Sequence, residues 1–214
     1  ALSLNGFVED GFVYKKRKKT KLLAYIGDDT HVVIPNSVTT IGKYAFSGCK
    51  NLVSVSIPNS VTTIENSAFQ SCDNLVAVSL PDGITSIEDH TFDFCESLLS
   101  IDIPSSVTSI GNYAFKCCIS LVSLSIPDSV TFIGHSAFYK CTSLTSVTIP
   151  SKLTFVAENA FADCSSLASV TIPSSVTTIY AHAFNKCASL KEFVSLAVNP
   201  PSLDWEPFKN SISS

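Results

Sequence analysis

Apolar and polar positions along this chain recur with a fixed period of 23 residues. The stretch "IPNSVTTIGKYAFSGCKNLVSVS" over 34–56 is followed at once by "IPNSVTTIENSAFQSCDNLVAVS" over 57–79. Proline returns at Pro35, Pro58, Pro81, Pro104, Pro127, Pro150 and Pro173, and phenylalanine keeps the same step from Phe46 to Phe184. So do the cysteine column from Cys49 to Cys187 and the leucine column from Leu52 to Leu190. Seven tandem copies without insertion or deletion define the unit I-P-x-S-V-T-x-I-x-x-x-A-F-x-x-C-x-x-L-x-S-V-x. A fixed period of this length marks a solenoid with one supersecondary unit per coil. One coil buries too little apolar surface to offset the ordering of its backbone, so coils must stack and share their faces.

Within a coil, "LVSVSIP" alternates apolar and small polar residues, with Leu52, Val55 and Ile57 inward, and predicts a strand. Pro58 lacks an N–H for the ladder and ends it. "SVTTI" predicts a second short extended piece with Val61 and Ile64 inside. "NSAFQSC" is too short for a full helix and predicts one helical or 3₁₀ turn that buries Ala68, Phe69 and Cys72. The core is then a set of ladders. Loss of a central rung, as in Phe115→Ala, is expected to cost more than the same loss at Phe46 or Phe184 near the ends.

Three segments result: 1–33, 34–195 with seven repeats, and 196–214. In the first, "GFVY" and "KLLAYI" flank the polar turn "KKRKKT", which predicts a β-hairpin that caps the first coil and covers its open edge. The basic run over 15–21 reads first as a solvated hairpin tip; the other readings are a nucleic-acid, heparin or anionic-lipid patch. In the last segment Ser195 stands where the repeat has Ile, Pro200 and Pro201 stop the ladder, and Trp205 and Phe208 are expected to fold over the final coil. The chain has no Met and starts "ALSLNGF", without a charged or apolar leader, which reads as a processed or excised piece.

Charged residues make up only 15% of the 214, and the net charge is −4, too small to argue for nucleic acid or an acidic membrane as partner. Residues 1–34 carry six Lys/Arg against four Asp/Glu, so the repeats carry the acidic excess. No apolar run approaches the ~18 residues of a membrane span. Seven of the eight cysteines share one core-facing column and read as reduced thiols that pack as small hydrophobes. Cys117 lies off that column and is expected to face outward, where it would be reactive.

The unit L-x-S-V-x-I-P-x-S-V-T-x-I-x-x-x-A-F-x-x-C resembles the BspA-type leucine-rich repeat over about residues 34–195. "DGFVYKKRKKTKLLAYI" and "AVNPPSLDWEPF" are also similar to that family's flanking segments. The resemblance implies a right-handed leucine-rich-repeat solenoid whose "LxSVxI" strands form a parallel sheet on the concave side. It also implies a secreted or cell-surface protein, with adhesins that bind host, matrix or neighbouring-cell proteins among its relatives. No catalytic residue comes with the family.

The chemistry on offer therefore lies on a face. If Leu52, Val55 and Ile57 point inward, two outward columns run Ser54, Ala77, Ser100, Ser123, Ser146, Ser169, Glu192 and Ser56, Ser79, Asp102, Ser125, Thr148, Thr171, Val194. The expected binding surface is Ser54, Ser56, Ser79, Ser100, Asp102, Ser123, Ser125, Ser146, Thr148, Ser169 and Thr171, with the central rungs foremost. Hydroxyls both donate and accept, which suits a partner's backbone or a glycan. The face lacks the Tyr, Trp and Arg that anchor tight contacts, which favours an extended or multivalent interaction. The alternatives are a stiff surface spacer without a ligand, and recognition of a repeating surface such as glycan.

Other chemistry finds little support. Coil three is acidic, with Asp82, Glu88, Asp89, Asp93, Glu96 and Asp102, but has no D-x-D-x-D-G loop for calcium. Glu65 and Glu88 share a column on adjacent rungs, a spacing that two paired catalytic carboxylates also use, but on an edge turn. The four histidines do not cluster, and no P-loop, dinucleotide fingerprint or G-x-S-x-G is present. No cofactor or metal is expected. No N-x-S/T triplet occurs, which suits a bacterial origin.

Overall fold

The computed structural model describes residues 6–211; the chain's first five and last three positions, including the start from which processing was read, lie outside the described residues. Eighteen short strands build it. β1 (Phe7–Glu9), β2 (Phe12–Tyr14) and β3 (Lys21–Tyr25) pair antiparallel in sequence and form the expected cap hairpin, with one extra strand in front. The remaining strands fall on two faces of the solenoid, alternating along the chain except where β9 is followed directly by β10. One face carries β4 (His31–Val33), β6 (Ser54–Ser56), β8 (Ala77–Ser79), β11 (Ser123–Leu124), β13 (Ser146–Thr148), β15 (Ser169–Ile172) and β17 (Glu192–Ser195). The other carries β5 (Thr40–Ile41), β7 (Thr63–Ile64), β9 (Ser86–Ile87), β10 (Ser109–Ile110), β12 (Phe132–Ile133), β14 (Phe155–Val156), β16 (Thr178–Ile179) and β18 (Ser202–Leu203). All pairing on these two faces is parallel, and residues one period apart stand opposite one another, as in Val55↔Val78 and Ile41↔Ile64. A strict sequence period gives a strict register, because any slip would turn the inward side chains out.

The inward columns are nearly sealed. Val61, Leu75, Phe69 and Cys72 are each 0% exposed, and their counterparts through the middle coils are 0–1% exposed. The phenylalanines stack face to face at 4.9–5.6 Å between ring centroids from Phe46 to Phe184. The stack also continues past the repeats. Tyr25 stacks on Phe46 at 5.4 Å, and Phe208 on Phe184 at 5.6 Å. Phe46 and Phe184 are consequently as buried as Phe115, and the expectation that they are cheaper to lose is withdrawn.

The expected helical or 3₁₀ turn does not form; the described residues contain no helix. The reason lies in the backbone. Tyr44 and Gly48 have φ of 59° and 75°, and their columns repeat this left-handed conformation in every coil, as at Ser67 and Ser71. Between them hydrogen bonds alternate. The N–H groups of Ala45, Ser47 and Cys49 return three residues to Gly42, Tyr44 and Phe46. Those of Tyr44, Phe46 and Gly48 donate to Asn66, Ala68 and Gln70 of the next coil. A 3₁₀ helix would need both sets internally. Here half the donors hold the neighbouring coil, and those bonds offset the ~1–2 kcal/mol of each left-handed residue.

The cysteine column has the same stacking logic. The thiols of Cys72, Cys95, Cys118, Cys141, Cys164 and Cys187 each donate to a phenylalanine carbonyl of the preceding coil, at 3.0–3.2 Å. All eight cysteines are free, with Cys49 half-buried at the first coil and the others buried. Cys117 does not face outward: it is 8% exposed. It stands in the second left-handed column, between Phe94 and Lys140 of the adjacent coils. Burial pushes its thiol above the ordinary value, with Lys116 pulling the other way, so it is not the activated thiolate that reactivity needs.

The C-terminal segment is a further coil with one residue inserted. β18 pairs with β16, and Ser211 takes the cysteine place: its hydroxyl donates to Phe184 O and accepts from Cys187 N at 3.1 Å. Trp205 does not fold over the last coil. It is 68% exposed and meets His182 edge-on at 5.3 Å. Ser211→Ala leaves both partners unsatisfied in a buried site and is expected to cost about 1–3 kcal/mol. Hydrogen exchange should show the loss confined to the last coil, with the amide of Cys187 losing protection first.

Candidate functional site

The outward columns lie where the alternation places them. Val55, Val78, Val147 and Val170 turn inward, so Ser56, Ser79, Ser146, Thr148 and Thr171 face solvent, while Ser54 and Ser169 are half-buried. The pairs Ser54↔Ala77, Ser56↔Ser79, Ser123↔Ser146, Ser146↔Ser169 and Thr148↔Thr171 set these residues one strand apart. Two features were not legible beforehand. β4 adds a rung ahead of the first repeat, with His31↔Ser54 and Val33↔Ser56, and His31 Nδ1 lies 2.7 Å from Ser54 Oγ. The signal was present, since "HVVIP" sits one period before "SVSIP". The second feature is a break at the centre.

The expected continuous sheet is two stretches, β4–β6–β8 and β11–β13–β15–β17. Between them coil three contributes only an isolated bridge, Asp102↔Ser125. Two departures from the repeat coincide with the gap: Leu80 replaces the β-branched Ile of the column, and Gly83 replaces the Ser of "SVT". The inward side chains there are looser than those of the coils on either side, with Val78 at 8% and Leu80 and Ile103 at 9% exposure against 3% for Val55 and 5% for Ile126. An open depression of about 370 Å³ lies beside the gap, lined by Ser54, Ser56, Ala77, Ser79, Ser100 and Asp102, with Val55, Val78, Leu80 and Ile101 at its base. Hydroxyls and one carboxylate thus rim a partly apolar floor.

The remaining candidates resolve into structural roles. Glu65 and Glu88 do not act as a pair. Glu65 binds Lys21 through one oxygen and Lys43 N through the other at 2.9 Å, whereas Glu88 accepts from Ser86 Oγ at 2.5 Å. Burial alone would push the Glu65 carboxyl up, but these donors hold it below the usual carboxylate range. A proton-sharing catalytic pair needs the opposite. In the acidic coil, Asp89 accepts from Asn112 N at 2.6 Å, and Asp93 binds His90 Nδ1 at 2.8 Å and Gln70 Nε2 at 3.1 Å. These acids join coil to coil, leaving Asp82, Glu96 and Asp102 exposed. Among the described residues no group of His, Cys, Asp and Glu is arranged to hold a metal ion. Among the described residues no helix long and apolar enough to cross a membrane is present.

Parallel stacking of 23-residue coils on leucine, phenylalanine and cysteine columns defines a leucine-rich-repeat solenoid. The model of the BspA type leucine rich repeat region matches residues 23–141 and 108–213 in six copies, and the chain belongs to that family. A leucine-rich repeat protein from Bacteroides ovatus is 30% identical, with a TM-score of 0.82 over 92% of this chain and 55% of that one. The leucine-rich repeat protein of T. pallidum is 33% identical, with a TM-score of 0.80 over 87% and 91%. One from Eubacterium ventriosum is 27% identical, with a TM-score of 0.57 over 98% and 51%. The chain thus spans about half the length of the first and third of these proteins. No curated protein matches the sequence.

Proposed function

We propose that this chain is a non-enzymatic interaction module, acting outside the cell or at its surface. Its serine-threonine face holds a protein partner by many weak polar contacts. The observation that carries the reading is the depression at the break in that face, where Ser54, Ser56, Ser79, Ser100 and Asp102 converge over apolar side chains. The exposed hydroxyls of Ser56, Ser79 and Ser100 there meet a partner's backbone groups, Asp102 selects for a basic residue, and the rigid register fixes the spacing of all of them. The absence of large aromatic anchors on these columns keeps each coil's share small, so affinity accumulates along the sheet. Leucine-rich repeat solenoids serve as interaction surfaces by their extended shape, which supports this reading over catalysis.

Binding of the purified chain to an immobilised panel of extracellular-matrix and plasma proteins tests it. Saturable binding is expected, and Asp102→Arg with Ser125→Arg should abolish it while leaving the folding transition unchanged, since both side chains are exposed. Binding to nothing on the panel would favour a spacer; binding only to a glycan array would replace the protein partner by a sugar.

A further inference from the structure

We infer that the tip of the cap hairpin, Lys15, Lys16, Arg17 and Lys18, is a second binding site, separate from the serine-threonine face, that takes a linear sulfated polysaccharide. Residues 15–21 hold six cations. Two are already matched: Lys19 pairs with Glu9 and lies 5.4 Å over the Phe7 ring, and Lys21 pairs with Glu65. The other four are exposed, and none forms an ion pair among the described residues. Lys15 adds only a through-space pull on the Glu65 carboxylate, which Lys21 already holds.

The tip is a built loop. Lys15 N donates to Lys21 O at 3.0 Å, and Lys19 N to Lys16 O at 2.9 Å. Thr20 O accepts from Thr39 N at 2.8 Å and Thr40 N at 3.0 Å, which fastens the loop to the first coil. Such a turn needs small or turn-forming residues, not consecutive cations. Four like charges within a few residues repel one another, and no carboxylate of the described residues forms an ion pair with any of them. An external polyanion does.

The surroundings choose among polyanions. Tyr14, next to the tip, is 1% exposed, and Phe7 opposite it is half-buried with Lys19 over its ring, so neither ring is free to stack on a nucleic-acid base. The tip carries no apolar side chain to enter a bilayer surface; Val8, 49% exposed on β1, is the one large exposed apolar residue of the hairpin's outer strand. What remains is a row of point charges with one guanidinium fork, which matches closely spaced sulfate groups on a chain. The hairpin extends the β5–β7 sheet and not the serine-threonine sheet, so the two sites are independent.

The test is titration of the whole chain with size-defined heparin, hyaluronan, anionic lipid vesicles and poly(dT) over a range of salt. Heparin should bind best, with affinity falling by roughly 3 log units per log unit of salt, the slope for about four ionic contacts. Lys15→Ser, Lys16→Ser, Arg17→Ser and Lys18→Ser together keep both ion pairs and should weaken binding at least ~10-fold at about 150 mM salt, with an unchanged melting curve. Arginine at all four positions should restore binding, and the Asp102→Arg, Ser125→Arg chain should keep it. Equal affinity in the serine variant, equal binding of hyaluronan, or tighter binding of vesicles or poly(dT) would overturn the assignment.

Discussion

Phe115→Ala should lower stability by about 3–5 kcal/mol, the cost of removing a large aromatic from a sealed core. Phe115 is 0% exposed and lies 5.4 Å from the Phe92 ring and 5.3 Å from the Phe138 ring. Both neighbours are held in their own coils, so neither can move to fill the gap. For a chain of this length the loss corresponds to a fall in melting temperature on the order of 10 °C. Phe46→Ala and Phe184→Ala should fall equally far, because Tyr25 and Phe208 extend the stack beyond them. Phe208→Ala should fall less, since that ring is only half-buried. A Phe115→Ala cost near that of Phe208→Ala would mean the rings do not form one continuous core.

The cysteine ladder leads to the second large effect, a steep loss of stability in alkali. Burial holds the thiols of Cys95, Cys118, Cys141 and Cys164 well above their ordinary value, and pushes Cys187 up to about 12. In the unfolded chain these thiols titrate near 8.5. Above that pH the folded chain still holds the protons that the unfolded chain has released. Stability from these groups is therefore complete below about pH 8.5 and falls as pH rises toward the folded values. Each such thiol contributes up to about 1.4 kcal/mol per pH unit, and five of them titrate in step. Urea midpoints measured from pH 7 to 10.5 should stay level and then drop sharply, while thiolate absorbance of the folded chain stays low until unfolding. A flat midpoint through pH 10 would contradict a buried, protonated ladder.

The solenoid, its register and its inward columns were legible because one period governs them all. The hairpin was legible from two apolar runs around a polar turn. The left-handed columns were not, although they carry a compositional trace: from Tyr44 to His182 and from Gly48 to Lys186, neither column contains Val, Ile or Thr. β-Branched residues tolerate positive φ worst, so their absence marks the turn that a helix period obscured. Cys117 was misplaced for the same reason, since an off-ladder position in an ordinary turn would point outward. The columns of the serine-threonine face followed from alternation alone. The break in that face did not, because it depends on how coil three, with Leu80 and Gly83, pairs with its neighbours.

The measurement that bears most directly on the proposed role compares two faces of one chain against a partner found on the protein panel. Asp102→Arg with Ser125→Arg alters the serine-threonine face; Thr85→Arg with Thr108→Arg places two arginines at exposed positions flanking β9 and β10 on the other face. Affinity lost in the first variant and retained in the second, with equal melting curves, is the expected result. Equal affinity in both, or loss only in the second, would contradict the assignment of binding to the serine-threonine face.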